Sequence, residues 1–426
     1  MNVQGIVNHL DYISGMGFNA IWISPIPAQV NSPNAGYHGY WFKDLWQINS
    51  HFGDEQSLKN LVQECHRRGI WVMLDIVMNH CGPVDMDFQR ISPFNESQYY
   101  HRKCEINDWN NQTQVEICRL ANLPDLNQSH PFVFDQLTKW TQHVINDYEV
   151  DGLRVDTTPE IDIQSFWSKW KSNYVTKQTL STGEVLNGDV NYVAPYANVM
   201  GSVLSYPLYF SLRDAFASQK SMYEIKNTLQ QYNDSIKDPT VLGTFIDNHD
   251  NPRFLSQNGD WKNYQNVLTY IIWAEGIPIV YYGTEQAFDG ANDPQNREAL
   301  WPSGFNTQSH FYQLLKTLIG SRNQHIPNVK DSRQVQRYCA DNFYAFTRGY
   351  VFVATTNVGS NGPKVQYTIT YHPYKDGEVL CNIFYPNNDC VQVQNGSFDV
   401  ILLSGESKVY IPKSAESSTN LRGQFK

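Results

Sequence analysis

Four short stretches place ionisable side chains at the ends of apolar runs: Asp75, Asn79 and His80 in LDIVMNH, Arg154 and Asp156 in GLRVD, Glu184 in TGEV, and His249 and Asp250 in FIDNHD. Carboxylates grouped with two histidines and an arginine, and with no Ser or Cys nucleophile among them, suit acetal hydrolysis through an oxocarbenium-like transition state. One carboxylate can attack, a second can carry the proton, and a third can stabilise positive charge. Read singly, each residue has a plainer explanation. An Asp at a strand end is commonly a helix cap or an ion-pair partner. His80 and His249 each suit a hydrogen-bonded core histidine, Asp75 inside an apolar strand suits a structural carboxylate, and the glycine before Glu184 suits a turn. Chemistry explains what packing does not, namely that all of them gather at the ends of four separate runs.

Those runs must be held so that their ends meet. Apolar segments at 20–25, 70–77, 151–156, 179–185, 199–206, 240–248 and 277–283 alternate with helix-like stretches such as 54–69, which opens on an acidic turn and stops at Gly69. Strand and helix in alternation predict a parallel sheet. The runs are apolar on both faces, collect polar residues at their C-terminal ends, and lack a glycine-rich phosphate loop. Together these features predict a closed TIM-type β/α barrel rather than an open doubly wound sheet, and in such a barrel the C-terminal strand ends share one mouth.

Residues 81–130 interrupt the rhythm with a polar, aromatic-rich excursion. From about 329, short alternating runs (FYAFTRG, YVFVATTN, VQYTITY, VILLSG) predict an antiparallel β domain. The expected division is a barrel of 1–80 and 131–328, an insertion at 81–130 and a C-terminal β-sandwich domain at 329–426, closing on a frayed tail, AESSTNLRGQFK.

The chain has 426 residues, enough for two or three domains. No run is long enough to cross a bilayer, and a net charge of -10 without a Lys/Arg cluster argues against nucleic-acid and anionic-membrane partners. A neutral ligand and a monomer are expected. The cysteines at 65, 81, 104, 118, 339, 381 and 390 contain no CxxC metal pair, and their spacing leaves pairing open. Asn95, Asn111, Asn127, Asn233 and Asn395 head Asn-x-Ser/Thr sequons, as in a secreted glycoprotein, whereas Met1 is followed by no signal-peptide pattern.

DIVMNH (75–80), LPDLN (123–127), GLRVD (152–156), GEVL (183–186) and FIDNHD (245–250) resemble, in order, the blocks of the α-amylase family, glycoside hydrolase family thirteen. GYHGYW (36–41), GTFIDNHDNPRF (243–254) and NDPQNREALW (292–301) are similar to the secreted fungal-type members. The resemblance implies Asp156 as nucleophile, Glu184 as general acid/base and Asp250 as transition-state stabiliser. Arg154, two residues before Asp156 and on the same strand face, would hold that carboxylate ionised and oriented. His80 and His249 would bind sugar hydroxyls, and Tyr40 would stack beneath the ring at the cleaved bond. Asp293 and Arg297, with Trp41 nearby, would meet glucose units on the non-reducing side. The resemblance also implies a Ca2+ site in which Asn79, Glu116 and Asp125 offer side-chain oxygens and Glu160 its carbonyl. Cys104 and Cys118 match a family disulfide, and Cys381 and Cys390 suit a C-terminal hairpin closure.

The resemblance implies a retaining endo-hydrolase of α-1,4-glucans. An α-glucanotransferase with the same residues and a glucan-binding pseudoenzyme are the alternatives. Two departures bear on that choice. Where such α-amylases carry Lys-His after the nucleophile block, this chain has Pro159-Glu160, which predicts altered acceptor-side binding. The chain also opens inside the segment that follows the family's first barrel strand; an incomplete sequence that lost its leader is the expected reason, and a shortened, non-catalytic protein the alternative.

Overall fold

The structure, a computed structural model, describes residues 2–31, 36–175, 179–326 and 332–415. Its contacts define two compact units: Met1–Ser14, Phe18–Leu186 and Asn191–Leu204 form one, and Gly15–Gly17, Asn187–Val190 and Ser205–Lys426 the other.

The first unit is built on a parallel sheet ordered Ala20–Ile23, Trp71–Ile76, Gly152–Val155, Leu180–Gly183, with one further parallel bridge from Gly183 to Val203. Gly152–Val155 is buried at every residue, as a strand covered on both faces must be. The register sets Asp75 beside Arg154 and Arg154 beside Thr182. Because side chains alternate along a strand, Arg154 and Asp156 lie on one face with Asp75. The helix predicted at 54–69 runs Glu55–Arg67. It starts at a capping box between Asp54 and Ser57, buries Leu58, Leu61, Val62 and Cys65, and stops before Gly69 at φ 68.

The excursion consists of short helical turns, the helix Gln112–Ile117 and isolated bridges, one of them His80 to Asp125. A disulfide joins Cys104 to Cys118 within it. A hairpin of Pro27–Gln29 against Phe42–Ile48 was not anticipated, since its register shifts twice in three residues and leaves no clean alternation.

In the second unit Gly243–Thr244 pairs in parallel with Ile277–Pro278. Six of the seven predicted parallel runs thus form strands, and 199–206 contributes only the bridge at Val203. The C-terminal sheet is ordered Cys390–Gln392, Val379–Asn382, Lys408–Pro412, Val351–Thr356, Phe343–Arg348, Gln334–Ala340, and Val365–Ile369 pairs separately with Phe398–Leu402. Phe343, Phe352, Leu380 and Tyr410 from the first sheet pack with Val365, Ile369, Phe398, Val400 and Leu402 from the second, so the two sheets share one core. Cys381 and Cys390, directly opposite in register, are disulfide-bonded. The expected domain start at 329, and the tail apart from Ala415, lie outside the described residues.

Candidate active site

In the first unit the centre is Arg154, wholly buried. Its Nη1 donates to Asp75 Oδ1 (3.0 Å) and Asp156 Oδ1 (2.8 Å), and its Nη2 lies 2.8 Å from Glu184 Oε1. Arg154 was expected to hold Asp156; the register brings it to Asp75 and Glu184 as well. The parallel ladder carries the other two into place, with Asp156 N bonded to Ile76 O (3.0 Å) and Glu184 N to Val155 O (2.8 Å). Asp75 also accepts from Tyr40 OH (2.7 Å) and Trp22 Nε1 (3.1 Å), and the guanidinium lies 5.3 Å from the Trp22 ring and 5.7 Å from the Tyr40 ring.

One cation among three carboxylates leaves excess negative charge in a dry place. Burial pushes the Asp75 carboxyl up to about 7, Arg154 pulling against it and Asp156 adding to it. Burial also disfavours the charged Arg154, but Asp75 and then Glu184 outweigh it and hold the guanidinium charged.

Glu184 is shaped by the turn after Asp156. Thr157 is left-handed (φ 46), its N–H donates to Glu184 Oε2 (3.2 Å), and Thr158 N donates to Glu184 O (3.1 Å). Gly183 is required by this approach and not by a helix-to-strand turn, because a Cβ there would sit 2.8 Å from Thr158 Oγ1. His80 is buried and its Nε2 has no partner among the described residues; burial pushes the imidazole pKa down. Trp41 is half-buried. Its backbone N–H donates to Gln29 Oε1 (2.6 Å) and its ring meets His38 edge-on at 4.5 Å.

A second cluster in this unit brings Asn79, Asp125 and the Glu160 turn together. The Asn79 amide oxygen faces Asp125 Oδ1 at 3.0 Å and the Glu160 carbonyl at 3.1 Å, three acceptors with no proton among them. Either the amide is turned over, so that its nitrogen donates to both, or a cation lies among the oxygens. His101 Nδ1 holds the other Asp125 oxygen at 2.6 Å. Glu116 accepts from Gln112 Nε2 (2.9 Å), and the same nitrogen donates to Pro159 O (2.9 Å), so Glu116 stands one side chain from the turn. Glu160 is buried, its Oε2 lacks a partner among the described residues, and burial, then the Asp156 charge, push its carboxyl up to about 8. Among the described residues no three His, Cys, Asp or Glu side chains form a metal cluster. An amide and a peptide carbonyl would have to complete this one, which suits a hard cation.

In the second unit His249 Nε2 lies 3.2 Å from Asp250 Oδ2, Arg297 Nη2 lies 3.5 Å from Asp250 Oδ1, and Arg297 Nε lies 2.9 Å from Asp293 Oδ1. Asn248 Oδ1 accepts from Asp250 N (3.1 Å) and Asn251 N (3.0 Å). The sequence missed Trp22 and Thr157. Trp22 is in register with Met73 and so on the Asp75 face, but nothing local distinguishes it from a core tryptophan.

The family model described as "Alpha amylase, catalytic domain" matches residues 2–337. Alpha-amylase 1 of Schwanniomyces occidentalis is 36% identical over 445 aligned positions, covering 99% of this chain and 85% of the relative. The alpha-amylase of Saccharomycopsis fibuligera is 35% identical over 425, covering 96% and 84%. The solved alpha-amylase of Malbranchea cinnamomea matches with a TM-score of 0.93 at 36% identity, covering 98% of this chain and 91% of that one. The fold class is accordingly a TIM-type β/α barrel with a C-terminal antiparallel β domain. On a family model spanning most of the chain, and relatives 36% identical over nearly all of it, this protein belongs to the alpha-amylase family of glycoside hydrolases.

Proposed function

We propose that the chain is an α-amylase, a retaining endo-hydrolase of α-1,4-glucosidic bonds in starch, glycogen or maltooligosaccharides. The observation that carries this is Arg154 ion-paired with Asp75, Asp156 and Glu184 at adjoining strand ends. Asp156, held in place by the guanidinium, attacks the anomeric carbon. Glu184 protonates the departing oxygen, then takes a proton from the water that releases the glycosyl-enzyme. To act first as the acid, Glu184 must enter the cycle protonated, while Arg154 and Thr157 N hold its carboxyl group in place. Asp250 faces the oxocarbenium charge, His80 and His249 bind hydroxyls, Tyr40 supports the ring, and Trp41, Asp293 and Arg297 bind the non-reducing side.

Calcium would be held by Asn79 Oδ1, Asp125, Glu116 and the Glu160 carbonyl. When bound it supplies positive charge that fixes the excursion, including His80 and its neighbours, in place. The closeness of Asn79, Asp125 and the Glu160 carbonyl supports that set. A chelator should lower the thermal unfolding midpoint by several degrees, and calcium should restore it; an Asp125→Asn variant that responds as strongly as wild type counts against the site. Two disulfides support an extracellular location.

The test is hydrolysis of a maltooligosaccharide followed by NMR. The α-anomer should appear first, and Asp156→Asn and Glu184→Gln should each lose at least about a hundred-fold in kcat. An initial β-anomer, or no cleavage by the wild type, sinks the reading. Disproportionation of maltotriose would favour the glucanotransferase instead. Pro159 and Glu160 are buried, so their effect on the acceptor side passes through the shape of the turn. Identical products from wild type and a Pro159→Lys, Glu160→His variant would remove that effect.

A further inference from the structure

Three consecutive residues of the second unit, Asn296, Arg297 and Glu298, reach the stretch His249–Arg253 in step. Asn296 Nδ2 donates to His249 O (3.0 Å) and Asn251 O (2.9 Å), the carbonyls of the residues on either side of Asp250. Arg297 Nη2 lies 3.5 Å from the Asp250 carboxylate. Glu298 Oε2 accepts from Arg253 Nε (2.7 Å) while its Oε1 accepts from Gly290 N (2.7 Å), and Arg253 N donates to Gly290 O (3.0 Å).

Asn248 takes the N–H groups of Asp250 and Asn251, so Asn296 and Asn248 between them claim both polarities of the turn. Asn296 is wholly buried and its Oδ1 has no partner among the described residues. A buried amide with an idle oxygen is a poor packing choice, and its two donations account for its presence. Arg253 is wholly buried against the rings of Tyr281 (4.4 Å) and Phe288 (5.3 Å). The loop closes so tightly that a Cβ on Gly290 would lie 1.9 Å from Gln295 O.

We infer that Asn296 is a positioning residue for Asp250, fixing the carbonyls of the residues before and after it, and that the Arg253–Glu298 pair anchors the loop that presents Asn296 and Arg297. The inference rests on the hydrolase reading for what Asp250 does, but not for where it is held. A carboxylate that must meet a developing charge loses much of its effect when displaced by about 1 Å, a displacement that can cost on the order of a hundred-fold in rate.

Asn296→Ala and Asn296→Asp are to be compared with wild type for kcat, KM, thermal midpoint and binding of a cationic iminosugar beside neutral maltotriose. The expected result is a kcat lower by about thirty- to a hundred-fold with KM within about two-fold, and iminosugar affinity falling while maltotriose affinity holds. A crystal structure of Asn296→Ala should show the Asp250 carboxylate moved off Arg297. The inference is overturned if kcat stays within about three-fold of wild type, if both affinities fall together with the midpoint, or if Asp250 has not moved. A wild type that cleaves no glucan defeats the hydrolase reading separately, and the crystal structure then judges the clamp alone.

Discussion

Arg154 balances three buried carboxylates with a single positive charge, and this imbalance governs the first unit's part of the site. Replacing it by methionine leaves Asp75, Asp156 and Glu184 without their counter-ion. Breaking a buried ion group by removing one partner costs about 3–5 kcal/mol, so Arg154→Met should unfold at markedly lower urea. The surviving folded enzyme should lose at least about two orders of magnitude in kcat. Wild-type activity in that variant would mean the guanidinium is mere packing. Asp75 gives a prediction with a sign. Its folded-state pKa is raised from 3.8 to about 7, so between those values the folded protein binds more protons than the unfolded one, and stability falls as pH rises. In Asp75→Asn this component is absent. Urea titrations at both ends of the window should show wild type losing more stability than the variant, and parallel losses would refute the assignment.

At the scale of elements, the excursion is held by few regular hydrogen-bond ladders and by the Cys104–Cys118 bond, which spans 14 residues. Closing a loop of that size contributes about 3 kcal/mol by constraining the unfolded chain. A Cys104→Ser, Cys118→Ser variant should therefore unfold at lower denaturant, and should no longer respond to reductant as wild type does at this site. An unchanged midpoint would show that the excursion is held by its packing alone. The turn Thr157–Glu160 acts more directly on the chemistry. The left-handed Thr157 aims its N–H at Glu184, and the bare Gly183 lets Thr158 come close enough to do it. Gly183→Ala should push the turn away and reduce kcat more than it changes KM.

At the scale of the molecule, the second unit joins barrel helices and C-terminal sheet through buried polar contacts. Asn266, wholly buried on the helix Trp261–Trp273, accepts from Thr356 N (2.8 Å) and donates to Gly405 O (2.6 Å). Asn266→Ala leaves two buried backbone groups unsatisfied and should cost about 2–5 kcal/mol in unfolding free energy. A loss under about 0.5 kcal/mol would show that water replaces the amide.

Local rules suffice for much of this protein. Apolar runs bounded by polar ends, the capping signals around 54–69 and the alternation after 340 are properties of neighbouring residues, so the strands, the helix and four of the C-terminal strands could be read from the chain, as could the carboxylates at the strand ends. What the chain does not announce depends on which residues stand opposite one another. The pairing of Arg154 with Asp75 joins positions 79 apart, and register between strands decides it. The same is true of the approach of Thr158 to Gly183, the oxygens around Asn79 and the reach of Asn296 to Asp250's turn. A buried charge or amide takes its energy from the partners that tertiary packing brings within 3 Å, and spacing along the sequence does not encode them.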